Sequence, residues 1–253
     1  MFGVDIRKKA LSINKKFMFS YVGIATDLNL MDKHEEARQA LDEMYQEAAD
    51  DGQRRQALFA LAVSFMDEGD TDNALRTLAD EYALAERNDD VAAMSFDLNN
   101  MGNILLEADR APEAMARFEE SIALTRQSGR TEDAKGNAER LFLFNSARAA
   151  LRQQDLPGAK RRTEELRADA EAVGSQPQIQ LAHQLAGTIA LEERDYATAL
   201  VELQQANPLD PYEPDGARLR GAGGRVQGAG ALPPGRRLPR PQQLQLRVHP
   251  PQS

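Results

Sequence analysis

Two pairs of side chains in this sequence sit one helical turn apart. Asn99 and Asn103 are four residues apart, and so are Arg148 and Arg152. On a helix, residues at i and i+4 share a face. A side-chain amide both donates and accepts, which suits a peptide backbone. Two aligned guanidinium groups suit a carboxylate, which each can bind bidentately. The alternative is that all four are ordinary surface residues, the arginines only pairing with acidic side chains nearby, a weak surface interaction. Groups suited to bond-making chemistry are sparse. There is no Cys, and His34, His183 and His249 fall in three distant segments. Disulfides, thiolate chemistry and a histidine-based metal site are therefore not expected. The carboxylate pairs Glu35–Glu36, Glu119–Glu120 and Glu164–Glu165 read as solvated helix faces, because acid–base catalysis needs converging groups. The glycine-rich run Gly221–Gly230 follows no strand and opens no helix, as a phosphate loop must. These residues predict no catalysis, no cofactor and no metal.

The elements that must carry the two pairs emerge from an internal repeat. Five alanines serve as anchors: Ala37, Ala74, Ala114, Ala159 and Ala199, spaced by 37, 40, 45 and 40 residues. Nine residues before each stands an apolar residue: Leu28, Phe65, Leu105, Ala150, Ala190. Twelve before stands a small one: Ala25, Ala62, Gly102, Ala147, Gly187. Sixteen before is large: Tyr21, Leu58, Leu98, Leu143, with His183 the exception. Four after come Leu41, Leu78, Phe118, Thr163 and Leu203. The first three positions share one helical face, and the anchor and its i+4 partner share another. Each unit is thus a helix hairpin in which small residues allow close approach and large ones fill the flanks. Its apolar face is too exposed to stand alone, so hairpins must stack. Turn chemistry agrees. Pro112 and Pro157 fit the first turn of a second helix, Asp70, Asp155 and Asp195 fit caps, and Gly69 fits a helix end with positive φ. Repeat four is the weakest, with Ser146 and Thr163 where packing residues are expected. His183 reads as a half-buried, hydrogen-bonded histidine.

This pattern resembles the tetratricopeptide repeat family. Residues 98–124, LNNMGNILLEADRAPEAMARFEESIAL, are the nearest unit, and residues 185–211, LAGTIALEERDYATALVELQQANPLDP, ending on Pro211, are a second. The spacing exceeds the family's usual ~34 residues, with the surplus expected near Arg87–Asp90, Ser128–Thr131 and Val173–Pro177. The resemblance implies an all-α fold, a right-handed α-solenoid of about five hairpins over residues 16–212. It also implies that first helices line a concave groove for an extended or helical peptide. The groove residues would be Phe59, Val63 and Met66 in repeat two, and Asn99 and Asn103 in repeat three. Repeat four would add Phe144, Arg148 and Arg152, and repeat five Gln184 and Thr188. An apolar stretch beside an Asn pair and an Arg pair suits a peptide with a hydrophobic portion and an acidic or C-terminal end. The function implied is a protein–protein interaction scaffold; the alternative is a ligand- or peptide-sensing regulatory module of a larger signalling or transcription protein.

The two ends differ from the array. Residues 1–15 read as the close of a truncated repeat, so the natural protein is expected to start upstream; the alternative is a single capping helix. Residues 213–253 hold seven Arg, no Lys and two acidic residues, with seven Gly and seven Pro, and no helical period. Their composition is that of disorder. Their codons, read in the frame one base later, permit a string such as LMALAYEA, the start of a sixth hairpin, so an out-of-frame tail is the expectation. The tail carries +5 of a formal net charge of −9, leaving −14 on the rest. An acidic body repels phosphate backbones, so a protein or peptide partner is expected and nucleic acid is not. No stretch approaches the roughly 20 apolar residues of a membrane span, and no secretory signal follows Met1. The chain as written reads as cytoplasmic, with no membrane partner.

Overall fold

All five anchor alanines are completely shielded from solvent. The computed structural model describes residues 2–206, and among them every regular element is helical. The tail 213–253, expected to be disordered or out of frame, lies outside the described residues. Helix α1 (Phe2–Ile13) precedes five hairpins: α2 (Met18–Asn29) with α3 (His34–Glu47), α4 (Asp51–Glu68) with α5 (Thr71–Arg87), α6 (Val91–Glu107) with α7 (Ala111–Gln127), α8 (Glu132–Arg152) with α9 (Leu156–Ala172), and α10 (Gln176–Glu192) with α11 (Tyr196–Ala206). The surplus residues near 87–90, 128–131 and 173–177 fall at the joints between hairpins, next to helices of 17 to 21 residues.

The register explains the packing. Gly102 faces Phe118 so closely that a Cβ there would collide with the ring, and Gly187 faces Leu203 in the same way. The small residue twelve before the anchor therefore makes room for the large one four after it. Phe118 is buried by this arrangement, worth roughly 1.5–3 kcal/mol relative to exposure. Phe65 is only half-buried, and the Arg38 guanidinium lies 4.8 Å from its ring centre. In repeat four, Ser146 and Thr163 are buried without unmet polar groups. Their hydroxyls donate to the carbonyls of Leu143 at 3.1 Å and Ala159 at 2.8 Å.

One turn is built five times. Five residues before each anchor the backbone is left-handed: Asp32 (φ 58°), Gly69 (86°), Asp109 (58°), Gln154 (60°) and Arg194 (62°). The next residue donates its N–H to the carbonyl nine before the anchor, over 2.8–3.0 Å in all five: Lys33 to Leu28, Asp70 to Phe65, Arg110 to Leu105, Asp155 to Ala150 and Asp195 to Ala190. This closing bond satisfies a carbonyl that the ending helix leaves free. Asp70, Asp155 and Asp195 then cap the following helix, accepting from the N–H of Asn73, Gly158 and Thr198. Pro112 and Pro157 occupy first turns.

The hairpins stack in series, α3 on α4, α5 on α6, α7 on α8 and α9 on α10, and α1 packs on α2. First helices also meet one another directly, α2 with α4, α6 with α8 and α8 with α10, whereas second helices stay further apart. The stack therefore closes toward the first helices, which line its inner face. The chain is an all-α solenoid.

Candidate binding face

Four first helices carry the residues expected to form the groove. On α4, Phe59 and Val63 are exposed and Met66 is half-buried. On α6, Asn99 and Asn103 are half-buried. On α8, Phe144 and Arg148 are half-buried and Arg152 is exposed. On α10, Gln184 is exposed, and the Thr188 hydroxyl donates to the Gln184 carbonyl at 2.9 Å.

The amide and guanidinium pairs come together across the joint between α6 and α8. Asn99 Oδ1 accepts from Asn145 Nδ2 at 2.8 Å, and Asn103 Oδ1 accepts from Arg148 Nη1 at 2.8 Å. Arg148 Nη1 also reaches Asn145 Oδ1 at 3.2 Å, and its Nη2 reaches Glu107 Oε1 at 2.9 Å. Arg152 pairs with Asp109 at 2.6 Å and with Glu107 at 3.8 Å. The Phe144 ring lies 5.6 Å from the Arg148 guanidinium. Burial lowers the pKa of Arg148, opposed by Glu107 and reinforced by Arg152. Both arginines thus have acidic partners within the chain. Each of Asn99 and Asn103 gives its oxygen to α8, and the Nδ2 of each makes no hydrogen bond among the described residues. The asparagine pair therefore presents donors, suited to carbonyl oxygens of an incoming chain.

Beside this seam lies an apolar cleft of about 420 Å³ between α2, α4 and α6. Met18, Phe19, Val22, Phe59, Ala60 and Phe96 form much of its wall. Phe19 is 80% exposed and Phe96 53%. The Phe59 and Phe96 rings are 6.1 Å apart, centre to centre, and tilted by 44°. Phe96, Asn99 and Asn103 follow i, i+3, i+7 spacing, so the aromatic wall and the amide donors share one face of α6. Phe19 and Phe96 were missed in the sequence, although a signal exists. Both stand eighteen residues before their anchors, where repeats four and five carry Leu141 and Leu181.

Under the cleft three charged groups from three helices converge. Arg55 of α4 binds Asp97 of α6 bidentately, at 2.6 and 2.8 Å. It also donates to the backbone carbonyl of Glu81 on α5 at 2.8 Å and lies 3.2 Å from Glu81 Oε1. Burial, then the negative charge of Asp97, push the Glu81 carboxyl up to about 8, against the pull of Arg55. Burial pushes Asp97 upward too, but its hydrogen bonds from Arg55 oppose this. Glu81 is accordingly the acid that keeps its proton at neutral pH. Sequence reasoning had no access to this cluster, because its members are 26 and 42 residues from Arg55.

Similarity to solved structures follows the same architecture. The chain superposes on BtubC (BKLC) from P. vanneervenii with a TM-score of 0.56, at 13% identity over 94% of this chain and 95% of that one. It matches a putative kinesin light chain of Podospora anserina, built of nearly identical TPR-like repeats, with a TM-score of 0.51 at 14% identity over 77% and 95%. This is a tetratricopeptide-repeat fold. The apo form of RapI also superposes, with a TM-score of 0.55 at 12% identity over 86% of this chain and 89% of that one. No protein-family model matches the sequence, and no curated protein matches it significantly.

Within the tetratricopeptide array several other polar groups have structural partners, whereas Asn100 Nδ2 and Arg162 Nη1 are buried without a hydrogen bond among the described residues. His183 is half-buried with Nδ1 2.7 Å from Glu202, which also pairs with Arg167 at 2.8 Å. Ser95, Ser121 and Thr125 share a buried hydroxyl cluster linking α6 to α7. Arg140 is tied to Asp169, Gln178 and Asn137. Among the described residues no group of three His, Cys, Asp or Glu is placed to hold a metal, and no helix is long and apolar enough to cross a membrane.

Proposed function

We propose that the chain is a non-catalytic scaffold that holds a peptide or helix of a partner protein along the inner face of its array. The observation that supports this most is the row of exposed aromatic side chains, Phe19, Phe59 and Phe96, beside the amide donors of Asn99 and Asn103. A solenoid buries apolar surface wherever a neighbouring helix can cover it, and a contiguous apolar face rimmed by polar groups marks an interaction site. Apolar side-chain surface of the partner packs against the aromatic wall of the cleft and supplies most of the affinity. Its main-chain carbonyls meet the asparagine N–H groups, and the groove's shape sets direction. The acidic body favours a protein partner over a nucleic acid. Likeness to other tetratricopeptide folds supports an interaction role in kind, without specifying the partner.

The test is peptide selection by display against the full chain, followed by titration of the selected peptides. Phe59→Ala and Phe96→Ala each weaken binding by at least about tenfold, as expected for central anchors. Circular dichroism checks that both variants keep their helicity. Selected peptides that bind both variants at undiminished affinity would place binding elsewhere and refute the assignment.

A further inference from the structure

The charge balance beneath the aromatic cleft is held by a proton. Arg55 supplies one positive charge against two acids, Asp97 and Glu81, and Glu81 stays protonated at neutral pH. The guanidinium is committed to Asp97 and to the Glu81 carbonyl and Oε1. Glu81 is 3% exposed, lines the cleft, and its Oε2 has no hydrogen-bond partner among the described residues. A buried acceptor without a donor is costly, and a donor arriving through the cleft would complete it. A neutral group leaves Glu81 protonated, and an acidic group is repelled by Asp97. A cation pairs with the ionised Glu81 carboxylate and takes the place of its proton.

The walls suit the same occupant. Aromatic faces attract cations, and lysine and arginine carry long apolar stems that lie along such walls. The −14 formal charge of residues 1–212 draws basic segments. We propose that the cleft receives a basic side chain of the bound peptide, a lysine or arginine whose stem lies against Phe59 and Phe96 and whose charge pairs with Glu81. The inference rests on the scaffold reading above and names the partner's chemistry.

It carries a proton signature. Glu81 is faced by Arg55 from α4 and by Asp97 from α6, with Asp90 at the head of α6 adding negative charge to the cluster. Glu81 holds its proton to about pH 8 in the free protein. A cation that pairs with the carboxylate releases that proton to solvent. Affinity for a basic peptide therefore rises with pH, approaching tenfold per unit between about pH 6 and 8 and levelling above.

The experiment uses the full chain and fluorescein-labelled pools of short random peptides, each pool fixed at one central residue: Lys, Arg, Leu or Glu. At pH 8.5 the Lys and Arg pools are expected to bind at least about tenfold tighter than the Leu pool, by anisotropy. Glu81→Gln, which keeps the neutral acid's shape, removes this preference and leaves binding of the Leu pool intact. On the unaltered protein the preference fades toward pH 6, and calorimetry in two buffers of different ionisation enthalpy reads about one proton released at pH 6.5. Equal binding of the Leu, Lys and Arg pools at pH 8.5 overturns the inference. So does a basic preference that persists in Glu81→Gln and ignores pH. In both cases Leu-pool binding that is lost in Phe96→Ala leaves the scaffold reading standing. If no pool binds at any pH, both readings fall.

Discussion

Glu81 ties the stability of the array to pH in a direction opposite to that of an ordinary paired carboxylate. Its carboxyl titrates at about 8 in the folded chain against 4.5 as an isolated side chain. Between those values the folded state binds more protons than the unfolded one. Stability from this group is therefore fully present below about pH 4.5 and is lost as pH rises through 8. Each unit of difference is worth about 1.4 kcal/mol. From pH 5.5 to pH 9 the slope acts over about 2.5 units, which gives a loss of roughly 2–4 kcal/mol once sharing of the titration with Asp97 is allowed for. Glu81→Gln stays neutral throughout and keeps the side chain's length. Its stability should be near that of the parent at pH 5.5 and higher by roughly 2–4 kcal/mol at pH 9, a difference on the order of 10 °C in Tm for an array of this size. Thermal melts followed by circular dichroism at pH 5.5, 7 and 9, with parent and variant side by side, isolate the contribution, since all other titrating groups are common to both. Parallel profiles, or a variant less stable than the parent at pH 9, would show that Glu81 is ionised in the folded chain and the reasoning wrong.

Further outcomes follow from the geometry. Arg194→Gly relieves a left-handed residue in the last described hairpin turn and should raise the urea midpoint slightly, by about 0.5 kcal/mol net of the glycine's added freedom when unfolded; Gly69→Ala at the equivalent site should lower stability by about 1 kcal/mol. Gly102→Ala drives a methyl group into the Phe118 ring and should destabilise by about 1–3 kcal/mol, with Phe118→Leu recovering part of the loss in a double-mutant cycle. Asn103→Ala combined with Arg148→Glu removes an amide donor and puts an acid beside Glu107; affinity for display-selected peptides should fall at least about tenfold with helicity retained, and unchanged affinity would remove the α6–α8 seam from the binding face.

Most of the fold is legible because the repeat writes each packing contact five times. The alanine anchors, the Gly102–Phe118 and Gly187–Leu203 approaches and the capping aspartates recur at constant offsets, so each weak local signal is multiplied. The left-handed turn was legible only at Gly69. In the other four hairpins Asp, Gln or Arg occupies the position, held there by the closing hydrogen bond that follows it. The binding face was legible where helical spacing alone assigns a side, as with Asn99 and Asn103. It was not legible where partners come from different repeats. Nothing local to Arg148 reveals that Asn103, 45 residues earlier, receives its hydrogen bond, and nothing near Arg55 reveals Glu81 or Asp97.

The oxygen atoms of Asn99 and Asn103 belong to the neighbouring unit, while their nitrogens make no hydrogen bond among the described residues. On the proposed reading, a ligand that bonds the nitrogens polarises the same amides and strengthens their bonds to α8, whereas one that competes for the oxygens weakens the contact between α6 and α8. On that reading, occupancy of the inner face and the closeness of the third and fourth units are coupled through these two side chains.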